Sequence, residues 1–216
     1  MNPVEIFHAR LKDCPLVAIL RGITPDEAEG IGEALIEAGL GIVEVPLNSP
    51  EPLKSIERLA ARLGKRALVG AGTVTTAAEV VAVRDAGGIL IVSPYSNEEV
   101  IAATVEAGMI SLPGFFTPTE AFGALRAGAH ALKLFPAEGA SPAMLKALCA
   151  VLPAEVPVLP VGGITPPLMA QWVAAGAAGF GLGSSLYKPG FSAAEVHRRA
   201  AGFVAALRDV STDLRK

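Results

Sequence analysis

Five Ala-Gly pairs, Ala38-Gly39, Ala86-Gly87, Ala107-Gly108, Ala127-Gly128 and Ala175-Gly176, each stand between a helical pattern and the next apolar run. Glycine takes the left-handed conformation without steric cost, so each pair reads as the end of a helix. Helix starts are marked as regularly, by a hydroxyl residue before proline: Thr24-Pro25, Ser49-Pro50, Thr117-Pro118, Ser141-Pro142 and Thr165-Pro166. Between these marks lie short β-rich runs, which predict strands at 16–20, 42–46, 67–71, 89–92, 109–112, 131–135, 156–160 and 179–182. A last helix is expected over 192–207, with a frayed polar tail over 209–216. Eight strand–helix units without a linker or a break in composition imply one domain, 1–216, folded as a closed (β/α)8 TIM barrel rather than a doubly wound sheet. A short helix before Lys12 is expected to plug the barrel floor.

The 216 residues are 51% hydrophobic and 18% charged, which supports a well-filled core and excludes disorder. A net charge of −3 with no Lys/Arg block argues against nucleic acid or an anionic membrane as partner. The apolar runs are too short to span a bilayer, and the first residues carry Glu5 and Asp13 where a secretion signal needs a basic flank and an apolar stretch. A reduced, cytoplasmic setting follows as the expectation for Cys14 and Cys149, which sit in no motif. His8, His130 and His197 lack paired ligand spacing, so no metal site is expected. After the first strand stands Arg21-Gly22-Ile23 in place of Gly-x-Gly-x-x-Gly, which argues against a dinucleotide cofactor.

In such barrels the reactive residues sit at the carboxyl ends of the strands. Strand parity directs Val17, Ile19 and Arg21 inward from the first strand and Ile42, Glu44 and Pro46 from the second. The third is expected to offer Val69, Ala71 and Thr73, and the sixth Ala131, Lys133 and Phe135. Lys133 lies in His130-Ala131-Leu132-Lys133-Leu134-Phe135-Pro136, an otherwise apolar run. Burial favours a neutral amine, and a neutral amine attacks carbonyl carbon. A snorkelling lysine whose stem packs is the structural alternative. Glu44 is equally out of place among Ile42, Val43 and Val45 unless it is paired or shuttles protons. An ion pair with Arg21 or Lys133 is the competing reading for it. Arg21 offers a fixed fork of donors for a carboxylate. Two glycine-rich segments, Gly162-Gly163 and Gly179 to Ser185, follow the last two strands, where these barrels build a phosphate cradle from backbone N–H groups.

These motifs carry a resemblance. Ala18-Ile19-Leu20-Arg21-Gly22, Val43-Glu44-Val45, Val69 to Val74, Pro113-Gly114, Thr117-Pro118-Thr119-Glu120, Leu132 to Ala137 and Gly162-Gly163-Ile164 are similar to those of the 2-dehydro-3-deoxy-6-phosphogluconate and -phosphogalactonate aldolases. It extends from Pro15 to about Gly190. The resemblance implies that Lys133 forms the Schiff base and Glu44 acts as general acid and base. Arg21 and Thr73 would hold the substrate's carboxylate end, and Gly162, Gly163, Gly183 and Ser184 its phosphate. It further implies a phosphorylated 2-keto-3-deoxy sugar acid as substrate, pyruvate and glyceraldehyde 3-phosphate as products, no cofactor or metal, and a homotrimer. Phe115 and Phe116 are expected to be exposed apolar positions that serve an interface or line the site's mouth.

Asn48 and Val161 stand where the gluconate enzymes carry an arginine and a threonine, so the segment looks like the galactonate branch; gluconate or dual specificity is the alternative. A different phosphate-binding barrel, an isomerase or synthase with Lys133 only electrostatic, and a non-catalytic phosphosugar sensor are the more distant ones.

Overall fold

A computed structural model describes residues 2–213. Helix α1 (Pro3–Asp13) is followed by β1 (Leu16–Ile19), α2 (Pro25–Glu37), β2 (Ile42–Pro46), α3 (Pro52–Leu63), β3 (Leu68–Gly72), α4 (Ala77–Asp85), β4 (Leu90–Val92) and α5 (Glu98–Glu106). Then come β5 (Ile110–Leu112), β6 (Gly114–Phe115), α6 (Pro118–Arg126), β7 (Leu132–Leu134), α7 (Pro142–Cys149), β8 (Val158–Pro160), α8 (Met169–Ala174), β9 (Phe180–Leu182) and α9 (Ala193–Asp213). The glycines of the five Ala-Gly pairs all have positive φ, between 69° and 107°. That conformation ends each helix and returns the chain to the sheet.

Every strand pairing is parallel. Six strands run in the order β5-β4-β3-β2-β1-β9 and three in the order β6-β7-β8. Backbone groups also cross both gaps between the sheets. Val161 bridges Gly181, and His130 N–H, just before β7, donates to Ser111 O of β5 at 3.0 Å. The fifth expected strand, 109–112, is β5, and an unexpected short strand, β6, follows it beyond Pro113. Proline brings no N–H to a ladder, and there the chain leaves its partner β4 to pair with β7.

Two apolar clusters share the strands between them. Leu16, Ala18, Val43, Val45, Leu132 and Leu134 pack outward against the helices. Val17, Ile42, Leu68, Leu90, Ile110, Ala131 and Leu159 pack inward, joined by Phe7 and Leu11 of α1. Phe7 is fully buried, so the first helix packs its apolar side against the inner cluster, as expected of a helix at that end.

Four sequence expectations change. Val69 and Ala71 face the helices, because Glu44 pairs in register with Gly70 and Pro46 with Gly72, which turns the glycines of β3 inward. Phe115 is 2% exposed in the outer core and serves no surface, while Phe116 is partly buried against that core. Ser49 does not cap α3, which starts at Pro52 after Glu51 at φ 41°; its hydroxyl instead accepts from Gly22 N–H at 2.9 Å. Finally, α9 continues through Asp213, so the frayed tail expected from Asp209 is helical that far, and 214–216 lie outside the described residues.

Candidate active site

Lys133 is the middle residue of β7 and is 6% exposed. Its backbone N–H donates to Pro113 O at 2.9 Å, and its Nζ lies 4.6 Å from the centre of the Phe135 ring. Glu44 is central in β2 and 2% exposed, with its carbonyl accepting from Leu20 N–H at 3.0 Å. Its carboxylate occupies the space that a side chain at Gly72 would need. Glycine on β3 therefore makes room for an acid inside the sheet. Gly72→Ala is expected to cost about 1–3 kcal/mol of stability by overpacking and to lower turnover with it, measured by thermal unfolding and steady-state kinetics.

Among the described residues Glu44 forms no ion pair within 4.0 Å, and its Oε2 is buried without a protein hydrogen-bond partner. The ion-pair reading is thus not realised as a contact. Burial pushes the Glu44 carboxyl up to about 7, against the charges of Lys133 and Arg21, which lower it. Burial also pulls Lys133 below the usual lysine range; Glu44 opposes that shift and Arg21 adds to it. At 6% exposure Lys133 does not extend into open solvent as a snorkelling lysine does. An amine moved toward neutrality and a carboxyl moved toward the middle of the pH scale suit addition to a carbonyl and proton shuttling.

Above this pair opens a cleft of about 470 Å³ lined by Ile19, Arg21, Phe135, Val161 and the two glycine segments. Lys133 and Glu44 do not line the cleft themselves, but residues that do so adjoin them: Ile19 pairs with Glu44 in register, and the Phe135 ring meets Lys133. Arg21 is exposed at its edge, in a turn pinned by the Gly22–Ser49 bond and packed under Pro189. Thr73 follows β3 at φ 59°, a strained conformation for threonine and one that clusters at functional sites. Thr73 is half-buried and is not among the residues that line the cleft.

Gly162, Gly163, Gly183 and Ser184 all line the same cleft. The two segments are stitched together by Ser185 Oγ, which donates to Ile164 O at 2.8 Å. Outside the strand ladders, no described hydrogen bond uses the N–H of Gly163, Gly183 or Ser184. Sequence reading missed Glu138, Lys188 and Arg199, which share this end. Arg199 is held by Glu195 at 2.6 Å and by Ser185 O at 3.1 Å, with its guanidinium over Phe191. The Glu195–Arg199 spacing on one helix face was the available signal.

Parallel strands covered by helices, with a buried lysine and carboxylate near a glycine-edged cleft, define an α/β fold of enzyme type. The chain belongs to the KDPG and KHG aldolase family, whose match spans residues 7–201. It is 51% identical over 195 residues to the 2-dehydro-3-deoxy-6-phosphogalactonate aldolase of Escherichia coli strain K12, covering 90% of this chain and 95% of that one. A solved structure described as native KDPGal superposes with a TM-score of 0.90 at 50% identity, covering 92% of this chain and 96% of the other. The KDPG aldolase of Legionella pneumophila, solved with pyruvate captured as a covalent carbinolamine, is 26% identical with a TM-score of 0.79, covering 97% and 98% of the two chains.

Proposed function

We propose that this chain is a Schiff-base aldolase that reversibly cleaves 2-dehydro-3-deoxy-6-phospho-D-galactonate to pyruvate and D-glyceraldehyde 3-phosphate. The observation that carries the reading is the buried Lys133–Glu44 pair, unbridged by any contact and each shifted toward the charge state that the chemistry needs. The scaffold we infer is a single-domain closed (β/α)8 barrel, supported by the backbone bonds that cross both gaps between the sheets.

In this scheme the neutral Lys133 amine adds to the C2 carbonyl, and Glu44 supplies the protons needed to expel water and leave an iminium ion. Glu44, directly or through one water, then takes the proton of the C4 hydroxyl. The C4 oxygen becomes the aldehyde carbonyl as the C3–C4 electron pair moves toward the iminium nitrogen, giving an enamine. Glyceraldehyde 3-phosphate departs. Protonation at C3 and hydrolysis then release pyruvate and free the amine. Arg21 and the Thr73 hydroxyl hold the carboxylate end, and the N–H groups of Gly162, Gly163, Gly183 and Ser184 hold the phosphate.

The phosphate assignment predicts a clean separation of folding from binding. A side chain added at Gly183 meets no protein atom within 4 Å. Gly183→Leu is therefore expected to keep its unfolding midpoint close to that of the unsubstituted protein, yet to raise KM for the phosphorylated substrate by roughly tenfold or more, the loss of about 1.4 kcal/mol of binding.

Galactonate is favoured over gluconate on Asn48 and Val161, which differ from the gluconate pattern, and on the kinship to galactonate-cleaving relatives. The two substrates differ in configuration at C4, where a few polar contacts decide. Cleavage assays on both, side by side, test this: a kcat/KM for the gluconate substrate equal to or above that for the galactonate one overturns the choice. The working assembly we infer is a homotrimer, tested by sedimentation, and the setting the cytoplasm. Among the described residues no helix is long and apolar enough to cross a membrane.

A further inference from the structure

Glu138 stands on a three-residue 3-10 turn, Ala137–Gly139, directly after the strand that bears Lys133. Ala137 N–H donates to Val161 O at 2.9 Å, and Gly139 N–H to Pro136 O at 3.0 Å, which fixes the turn beside the Gly162-Gly163 segment. The Glu138 carboxylate fills the space into which a side chain at Gly162 would project. Its Cγ lies 2.8 Å from the place a Gly163 Cβ would take. The residue lines both the cleft above the reactive pair and a neighbouring cleft of about 300 Å³, so it forms part of the partition between them. No ion pair within 4.0 Å neutralises it among the described residues, and the Arg199 charge at this end is already committed to Glu195.

A carboxylate against two glycines of a phosphate cup opposes the very group that the cup is meant to hold. We propose that Glu138 is a specificity-determining residue whose carboxylate shares the cup with the substrate's terminal group. It repels a phosphate dianion and offers an acceptor to a terminal hydroxyl, and thereby sets how strongly the enzyme prefers phosphorylated over unphosphorylated 2-keto-3-deoxy sugar acids. Being exposed and on a flexible stem, the carboxylate moves aside when phosphate enters. This inference rests on the phosphate reading of the glycine segments.

The test compares kcat/KM for the phosphorylated sugar acid and its unphosphorylated counterpart in the unsubstituted enzyme, in Glu138→Gln and in Glu138→Asp. Glu138→Gln keeps the volume and removes the charge. It is expected to raise the preference for phosphate roughly 3- to 10-fold, the scale of one nearby charge, through a lower KM for the phosphorylated substrate. Inorganic phosphate should become a tighter competitive inhibitor by a similar factor. The gain should shrink in high salt, and Glu138→Asp should return the preference toward that of the unsubstituted enzyme. An unchanged or lowered preference in a folded Glu138→Gln protein overturns the inference while leaving the cup intact. An unsubstituted enzyme with no preference for phosphate at all removes the phosphate reading, and this inference falls with it.

Discussion

Lys133→Met is expected to lower kcat for cleavage by a factor on the order of 10⁴ or more, the scale seen when a covalent nucleophile is removed. Methionine is apolar and fits a position that is 6% exposed, so the fold should survive and circular dichroism should match the unsubstituted protein. Loss of the Lys133 charge also removes one of the two groups that hold the Glu44 carboxyl down. The protonated form of Glu44 should then persist to higher pH than about 7, visible as a carboxylic-acid band in difference infrared spectra against Glu44→Gln. Lys133→Arg separates two chemistries. Arginine keeps the positive charge but forms no imine, so an enzyme that uses position 133 only as a cation would retain substantial activity, whereas a Schiff-base enzyme loses nearly all of it.

Glu44→Gln is expected to reduce kcat by roughly 10²- to 10⁴-fold, the usual worth of a positioned proton shuttle. Glutamine keeps shape and packing against Gly72 but neither gives nor takes the proton. Burial raises the Glu44 carboxyl to about 7, with Lys133 and Arg21 pulling the other way. A raised carboxyl is ionised only above that value, so the base required for C3–C4 cleavage is lost as pH falls through it. The acid limb of the kcat/KM profile, which reports the free enzyme, should therefore bend near 7 and fall toward tenfold per pH unit below it. Because Glu44 and Lys133 perturb each other, the limb reports the pair as a unit. Glu44→Gln should lose that limb along with most of its activity. A limb that persists unchanged in the residual activity of Glu44→Gln would assign it to another group.

Much of this was legible in the sequence because it rests on local chemistry. Ala-Gly helix ends and apolar runs located every strand but β6 to within a residue or two, and Lys133 and Glu44 stood out as charges inside runs that had to be buried. What failed depended on register across the sheet. Parity counted along β3 alone put Val69 and Ala71 inward, whereas pairing of Glu44 with Gly70 turned the glycines to that face. Glycine has no side chain to announce its orientation, so the pocket it leaves for a carboxylate is written only in the neighbouring strand. Ser49 misled for a similar reason: a hydroxyl before proline serves a helix start or a distant N–H, and here Gly22, 27 positions away, claims it. Lys188 and Glu138 reach the cleft from turns, where no periodic pattern signals direction, and Arg199 comes from the late helix, where its spacing to Glu195 was the one available mark.

The central claim is that the Lys133 nitrogen bonds covalently to the keto carbon of its substrate. Incubation with pyruvate and borohydride, followed by peptide mass analysis, tests it directly. One reduced three-carbon adduct is expected, located on Lys133, with loss of activity in proportion to labelling. Fully active enzyme that yields no adduct under these conditions, or an adduct on another lysine, would contradict it.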